Sequence, residues 1–499
     1  MNETMTMWMI DWHRLGSQLM YMPKQPLLFN TGLFLFLFTA FLLFYTLLRR
    51  HTVAKVIYVI AFSYYFYYKN AGVYCLLLAF ITLINYLSAI RMEEARSERE
   101  RVEWLVFSLV VTVGQLAYFK YTNFLLSSVE GLWHGSFKPL DIFLPIGISF
   151  FTFQTLSYVI DVYRGQLKAE RNVLDFAFFV SFFPTLLAGP ILRAKDFLPQ
   201  VRRCPVVTST MFGTGLFYII SGLFKKAVIS DYISSNFVDR IFDNPSLYSG
   251  LENLLGIYGY TLQIYCDFSG YSDMAIGIAL WMGFQIPANF RSPYKSDSIT
   301  DFWRRWHISL SSWLRDYIYI SLGGNRKGKI RMYFNLLFTM VLGGLWHGAS
   351  WNFIVWGTIH GVALAGHKFL RSLLGKGKHD KSTGWRKGVA VVLTFHLVAF
   401  AWIFFANKTF DASMLMLERI ATSFHAELLP QFLAGYPAVS LLIAAGYLLH
   451  FAPDSWSAFA RQRVIGLPMV GKVVLLVVVV WLVIQVKGSD IQPFIYFKF

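Results

Sequence analysis

The chain has 499 residues, 56% of them hydrophobic and 15% charged, against roughly 25% charged in ordinary soluble domains. That deficit excludes a water-soluble enzyme. The formal net charge of +17 does not point to nucleic acid, because the Lys and Arg residues cluster between apolar runs, where they read as topology signals.

Apolar runs long enough to cross a bilayer, about 20 residues each, recur from Leu27 almost to the C-terminus. They predict an all-α polytopic membrane protein with roughly ten to thirteen transmembrane or re-entrant helices. Residues 1–26 form an N-terminal segment and 27–499 a single membrane domain. The N-terminal segment carries Asp11, His13 and Arg14 among Met and Trp, without the apolar core of a signal peptide. It reads as an interfacial helix or as a frayed terminus.

The first run, Leu27 to Leu48, ends at Arg49, Arg50 and His51, and the second covers Val53 to Tyr68. A third stops at Arg91, where residues 91–103 mix both charge signs. A fourth spans Trp104 to Leu126, and a fifth, Asp141 to Ile160, leads to Arg164, Lys168 and Arg171. Under the positive-inside rule the basic loops face the cytoplasm and both termini lie outside it.

Pro145, Gly147, Pro184, Gly189 and Pro190 then interrupt apolar sequence, where a helix interior would lose backbone hydrogen bonds. Such breaks at membrane depth belong around a cavity, so residues 174–192 are expected to dip in and return. Further spans are expected near 211–231, 251–286, 332–367, 388–406, 436–451 and 465–486.

Ile299, Trp303, Trp306, Leu310, Trp313, Tyr317 and Ile320 recur alternately four and three apart, predicting one amphipathic helix over 299–320. Ser298 and Asp301 suit a cap at its start, and Arg304 and Arg315 lie opposite the stripe. His307, about 100° round from Trp306, falls at the stripe's margin and is expected to be half-buried. It either bonds a neighbouring carbonyl and positions the helix, or helps bind a substrate.

From Met332 an apolar segment runs to Gly343-Gly344-Leu345-Trp346-His347-Gly348-Ala349-Ser350-Trp351-Asn352. At 1.5 Å per residue His347 lies roughly 20 Å along that helix, and an imidazole at such depth needs a partner or a function. The surrounding small residues permit either close helix packing or passage of a substrate. His360 is expected to face away from His347 and to be structural; His367 lies near a basic surface, and His396 is a lone imidazole in an apolar run.

Asp267 and Asp273 are the acids of the run before Trp281. Asp267 could orient an imidazole or satisfy an arginine; Asp273 reads as structural. Cys75, Cys204 and Cys266 are widely spaced in apolar surroundings and suggest neither a disulfide framework nor a metal site. There is no phosphate-binding loop and no paired zinc motif.

The segments DFWRRWHISLSSWLRDYIYISLGGNR at 301–326 and GGLWHGASWN at 343–352 resemble the membrane-bound O-acyltransferase family. FFPTLLAGPILR at 182–193, YCDFSGYSDMAIG at 265–277 and FIYFKF at 494–499 extend the resemblance to its bacterial, alginate-acetylating branch. The resemblance implies helices round a central funnel or tunnel, with catalytic histidines at His347 and His307. Trp346, Asn352, Gly344, Gly348, Trp306, Asp267, Arg304, Arg305 and Arg315 are expected in supporting or substrate-binding positions around them.

It also implies a thioester donor, acetyl-coenzyme A or another acyl thioester, with no bound cofactor. The acceptor would be an exported polysaccharide or a periplasmic partner protein, at the bacterial inner membrane. D-alanyl transfer to teichoic acid is the alternative within the family. A proton-coupled transporter using His347 and Asp267 as a relay is the alternative outside it.

Overall fold

The computed structural model describes residues 12–23, 25–132, 138–375, 383–486 and 492–497. Among the described residues the regular structure is helical throughout. The chain divides into two compact units. The first comprises Met1–Gln115, Phe143–Leu187 and Ala194–Cys204; the second comprises Leu116–Ile142, Ala188–Arg193 and Pro205–Phe499.

The first unit holds α1 (Trp12–Leu19), α2 (Gly32–Leu48), α3 (Thr52–Ala71), α4 (Cys75–Glu94) and most of α5 (Glu98–Leu132). With them lie α6 (Ile148–Tyr163), α7 (Val173–Ser181), α8 (Phe183–Leu186) and α9 (Ala194–Val201). The Thr31 hydroxyl accepts from the Phe34 N–H at 3.3 Å and so starts α2. Phe34, Phe38 and Phe41 then stack along one face of that helix and against Phe183.

Some of the polar groups buried in this unit pair across helices, as they do in lipid. Asn85 of α4 donates to the Thr112 hydroxyl at 3.0 Å and accepts from Ser108 at 2.8 Å, both on α5. Lys69 donates to the carbonyl of Gln18 at 2.7 Å, pinning the end of α1. The expected interruption at 145–190 is present: Gly147 adopts φ +81°, and a Cβ there would stand 2.7 Å from the Leu186 carbonyl. Residues 174–192 are two short helices followed by irregular chain, broken as the Pro and Gly residues suggest.

In the second unit α10 (Ser209–Leu223), α11 (Asp231–Ile233) and α12 (Asp239–Asp243) join through π-helical turns at Phe224–Ser230 and Ser234–Val238. They pack on α13 (Gly250–Trp281), which opens with a complete capping box of Ser249 and Glu252. Small residues set that approach. A Cβ on Gly222 would lie 2.5 Å from the Gly270 carbonyl, and one on Gly277 2.5 Å from that of Gly215.

There follow α14 (Ile299–Arg305), α15 (Ile308–Trp313), α16 (Lys329–His347), α17 (Trp351–Leu373) and α18 (Gly384–Ala406). The C-terminal part holds α19 (Phe410–Thr422), α20 (Leu429–Gly435), α21 (Pro437–Phe451), α22 (Asp454–Gly466) and α23 (Met469–Val486).

Among the described residues, four helices are long and apolar enough to cross a membrane: Thr52–Glu94, Glu98–Gly131, Ser209–Asp243 and Gly384–Ala406. The pair Ala426–Gly435 and Pro437–Phe451, bent by 102°, makes a fifth if it is one span.

Two expectations need correction here. The stripe over 299–320 does not form one helix: it breaks at Trp306–His307, and a π-helical turn at Leu314–Tyr319 replaces the regular end. The stripe itself is buried from Ile299 to Trp313, but Ile320 is exposed. The expected cap does form, with the Ser298 hydroxyl 3.3 Å from the Asp301 N–H. The expected single element over 332–367 is a tight antiparallel pair, α16 and α17, with a break at Gly348–Ser350.

Candidate active site

His347 is the last residue of α16, because Gly348 turns to an extended conformation (φ −162°) and ends the helix. Glycines let α17 lie directly against α16. A Cβ on Gly344 would stand 2.1 Å from the Phe353 carbonyl, one on Gly357 2.4 Å from that of Met340, and one on Gly348 2.0 Å from the Phe353 ring. The small residues around His347 thus serve close packing.

His347 is 3% exposed. Its ring centroid lies 4.9 Å from Trp346, 5.1 Å from Trp356, 5.2 Å from Phe405 and 5.5 Å from Tyr496. Its Nδ1 has no hydrogen-bond partner among the described residues.

His307 forms the break between α14 and α15 in a left-handed conformation, φ +41° and ψ 56°, which costs a residue with a side chain about 1–3 kcal/mol. Asn289 holds it there. The Ile308 N–H donates to the Asn289 carbonyl at 3.0 Å. The Asn289 Oδ1 accepts from the Ser309 N–H at 3.2 Å and hydroxyl at 2.9 Å, and it lies 3.1 Å from His307 Nδ1.

A backbone N–H can only donate, so the bond from Ser309 fixes which end of the Asn289 amide is oxygen. His307 Nδ1 must then carry the proton, and in the neutral ring Nε2 carries the lone pair. The helical spacing predicts a half-buried His307. It is fully buried, because the break turns its ring away from the helix margin and against Phe268 at 4.6 Å.

Trp346 and Tyr496 bring the two histidines into one cluster. Trp346 lies 5.9 Å and Tyr496 6.3 Å from the His307 ring, and both also touch His347. Tyr496 comes from the C-terminal segment, which α13 holds in place. The Ile495 N–H donates to Asp267 at 2.8 Å, Phe494 packs on Tyr271 at 4.4 Å, and Tyr496 on Phe268 at 4.3 Å.

Asp267 also pairs with Lys226 at 2.5 Å, and Lys226 with Asp231 at 2.7 Å. Asp267 therefore orients neither an imidazole nor an arginine; it anchors the C-terminal segment. Asp273 pairs with Lys225 at 2.7 Å, which agrees with a structural role.

The other expected residues divide between packing and surface pairing. Trp306 is buried against Phe302, Phe290 and Trp402. Asn352 donates to the Asn407 carbonyl at 2.8 Å, joining the start of α17 to the end of α18. Arg305 pairs with Asp301 and Arg315 with Asp316, each at 2.7 Å, while Arg304 is exposed.

His367 bonds the Thr300 hydroxyl at 2.9 Å, and His396 that of Tyr258 at 2.9 Å. His360 is not remote from His347, as a single regular helix would require: the two rings share Trp356, at 4.7 and 5.1 Å.

Sequence reasoning misses Asn289 and Tyr496 as members of the site. Nothing in the pattern around Asn289 marks it, whereas Tyr496 belongs to the terminal FIYFKF segment, whose one signal is its resemblance to the family.

The membrane-bound O-acyltransferase family model matches residues 166–407. A probable alginate O-acetylase of Pseudomonas aeruginosa is 42% identical over 397 residues, 79% of this chain and 74% of the relative. The chain belongs to the membrane-bound O-acyltransferase family.

A peptidoglycan O-acetyltransferase of Helicobacter pylori is 36% identical over 79% of each chain. A teichoic acid D-alanyltransferase of Bacillus subtilis is more distant, 32% identical over 54% of this chain and 71% of its own. As a membrane-bound O-acyltransferase the protein is a membrane enzyme that transfers acyl groups to oxygen, and the transporter reading is set aside. The two histidine segments quoted above, at 301–326 and 343–352, both fall inside the matched region.

Proposed function

We propose that this O-acyltransferase moves an acetyl group from a cytoplasmic thioester, acetyl-coenzyme A, to a hydroxyl on the far side of the bacterial inner membrane. The acceptor is an exported polysaccharide or a periplasmic partner protein. Both termini lie outside the cytoplasm, and the shorter apolar helices complete roughly ten to thirteen membrane elements round a central funnel. The observation that carries the reading is the buried imidazole of His347 at the end of an apolar helix, its Nδ1 without a hydrogen-bond partner among the described residues and clustered with His307 through Trp346 and Tyr496.

His347 acts as general base, a task suited to a group with an unperturbed pKa near about 6.5. It takes the proton of the acceptor hydroxyl as that oxygen attacks the thioester carbonyl. The new C–O bond forms, the C–S bond breaks, and the departing thiolate receives the proton from the imidazolium. His307, held by Asn289, orients the donor at the same cluster, and Arg304, Arg305 and Arg315 offer positive charge to it. Acetyl is favoured over D-alanyl because the relatives named as acetylating enzymes match a larger share of the chain.

Sealed inverted vesicles supplied with labelled acetyl-coenzyme A test this. They should incorporate acetate into polymer or partner and keep a tag placed after Phe499 sealed inside. His347→Ala should lower turnover per inserted molecule by about 100- to 10,000-fold. Near-normal turnover in that variant would refute the assignment.

A further inference from the structure

A helix leaves its last four carbonyls without intrahelical donors. In α16 those belong to Gly344, Leu345, Trp346 and His347, and all four are accounted for. The Gly348 N–H donates to Gly344 at 3.3 Å. The other three are served by α5, from more than 220 positions earlier in the chain. The Tyr121 hydroxyl donates to Leu345 at 2.7 Å, and Lys120 Nζ to Trp346 at 2.6 Å and to His347 at 2.8 Å. Gly348 is extended, so the left-handed glycine that commonly closes a helix locally is missing.

Lys120 lies well inside the apolar span Glu98–Gly131, and among the described residues no carboxylate stands within ion-pair distance of it. An ionisable group in such a segment is costly and is kept where it serves a function. Tyr121 demonstrates that a neutral hydroxyl suffices to satisfy a carbonyl. At position 120 the chain instead carries an amine with more than one N–H to donate, which reaches two adjacent carbonyls at once.

We propose that Lys120 is the positioning residue for His347: by clamping the carbonyls of Trp346 and His347 it fixes the backbone from which the imidazole projects. This rests on His347 being the base. The clamp acts on the very residue that carries the reacting nitrogen, so its loss translates directly into misplacement, and about 1 Å of misplacement costs on the order of 100-fold in rate.

The test uses the full-length protein in vesicles, with turnover counted per inserted and thermally intact molecule. Lys120→Met should lower kcat by about 100-fold and leave the KM for acetyl-coenzyme A within about threefold. Tyr121→Phe, which frees a carbonyl two residues before His347, should cost less.

The deciding measurement is the double variant, because a residue acting only through His347 contributes nothing once the imidazole is gone. Lys120→Met added to His347→Ala should leave the residual rate unchanged. If Lys120→Met does not insert, Lys120→Gln is measured by the same criteria.

Turnover within threefold of the wild type, a further fall in the double variant, or a change confined to KM would each overturn the proposal. An active His347→Ala would instead overturn the assignment of the base, whatever Lys120 does.

Discussion

Gly344→Ala adds one methyl group where the backbones of α16 and α17 meet, at a point where a Cβ would stand 2.1 Å from the Phe353 carbonyl and 3.3 Å from the Gly357 Cα. Ordinary contact begins near 3.4 Å, so the helices must part by about 1.3 Å. The neighbour is backbone, and no rotamer change can relieve the clash. The separation is imposed three residues before His347, within one turn of it. Overpacking of this kind costs about 1–3 kcal/mol in stability, and a shift of that size at the imidazole costs on the order of 100-fold in rate.

Turnover in vesicles and thermal unfolding in detergent should therefore diverge, with activity falling much further than stability. Gly357→Ala is the control: its Cβ would meet the Met340 carbonyl at 2.4 Å, a similar clash about one turn further from His347, so it should damage activity less for a similar loss of stability. Wild-type turnover and melting temperature in Gly344→Ala would refute the reasoning that glycines set the approach of these two helices.

Asp267→Ala breaks a buried pair and frees the Ile495 N–H, a change worth about 3–5 kcal/mol, moderated because Lys226 keeps Asp231. The C-terminal segment should become open to carboxypeptidase and turnover should fall; unchanged trimming with unchanged turnover would contradict its anchoring role. Asn289→Leu removes the acceptor of the His307 Nδ1 proton and should cut turnover by about 10-fold, the order of one lost hydrogen bond of about 0.5–1.5 kcal/mol. Asn289→Asp, which keeps an acceptor, should retain more. Nitrogen-15 spectra of histidine-labelled protein should report a protonated Nδ1 at His307 in the wild type; a protonated Nε2 in the neutral ring would contradict this geometry.

Several parts of this enzyme can be read from local sequence. The apolar runs place α2, α3, α18 and α23 nearly where they stand. The four-and-three spacing finds the buried stripe from Ile299 to Trp313, and Ser298 marks the start of α14. Counting along the run from Met332 puts His347 deep along an apolar helix. These signals are local, because helix periodicity and capping depend on residues three or four positions apart.

Tertiary structure decided the rest. The break at His307 depends on Asn289, 18 positions away, and the role of Asp267 on Lys226 and Ile495, 41 and 228 positions away. The cap on the His347 helix comes from Lys120, 227 positions earlier. A periodic pattern says which face of a helix is buried, but it carries no record of which distant donor meets which carbonyl. That pairing is set only when the helices pack and buried donors meet acceptors away from water.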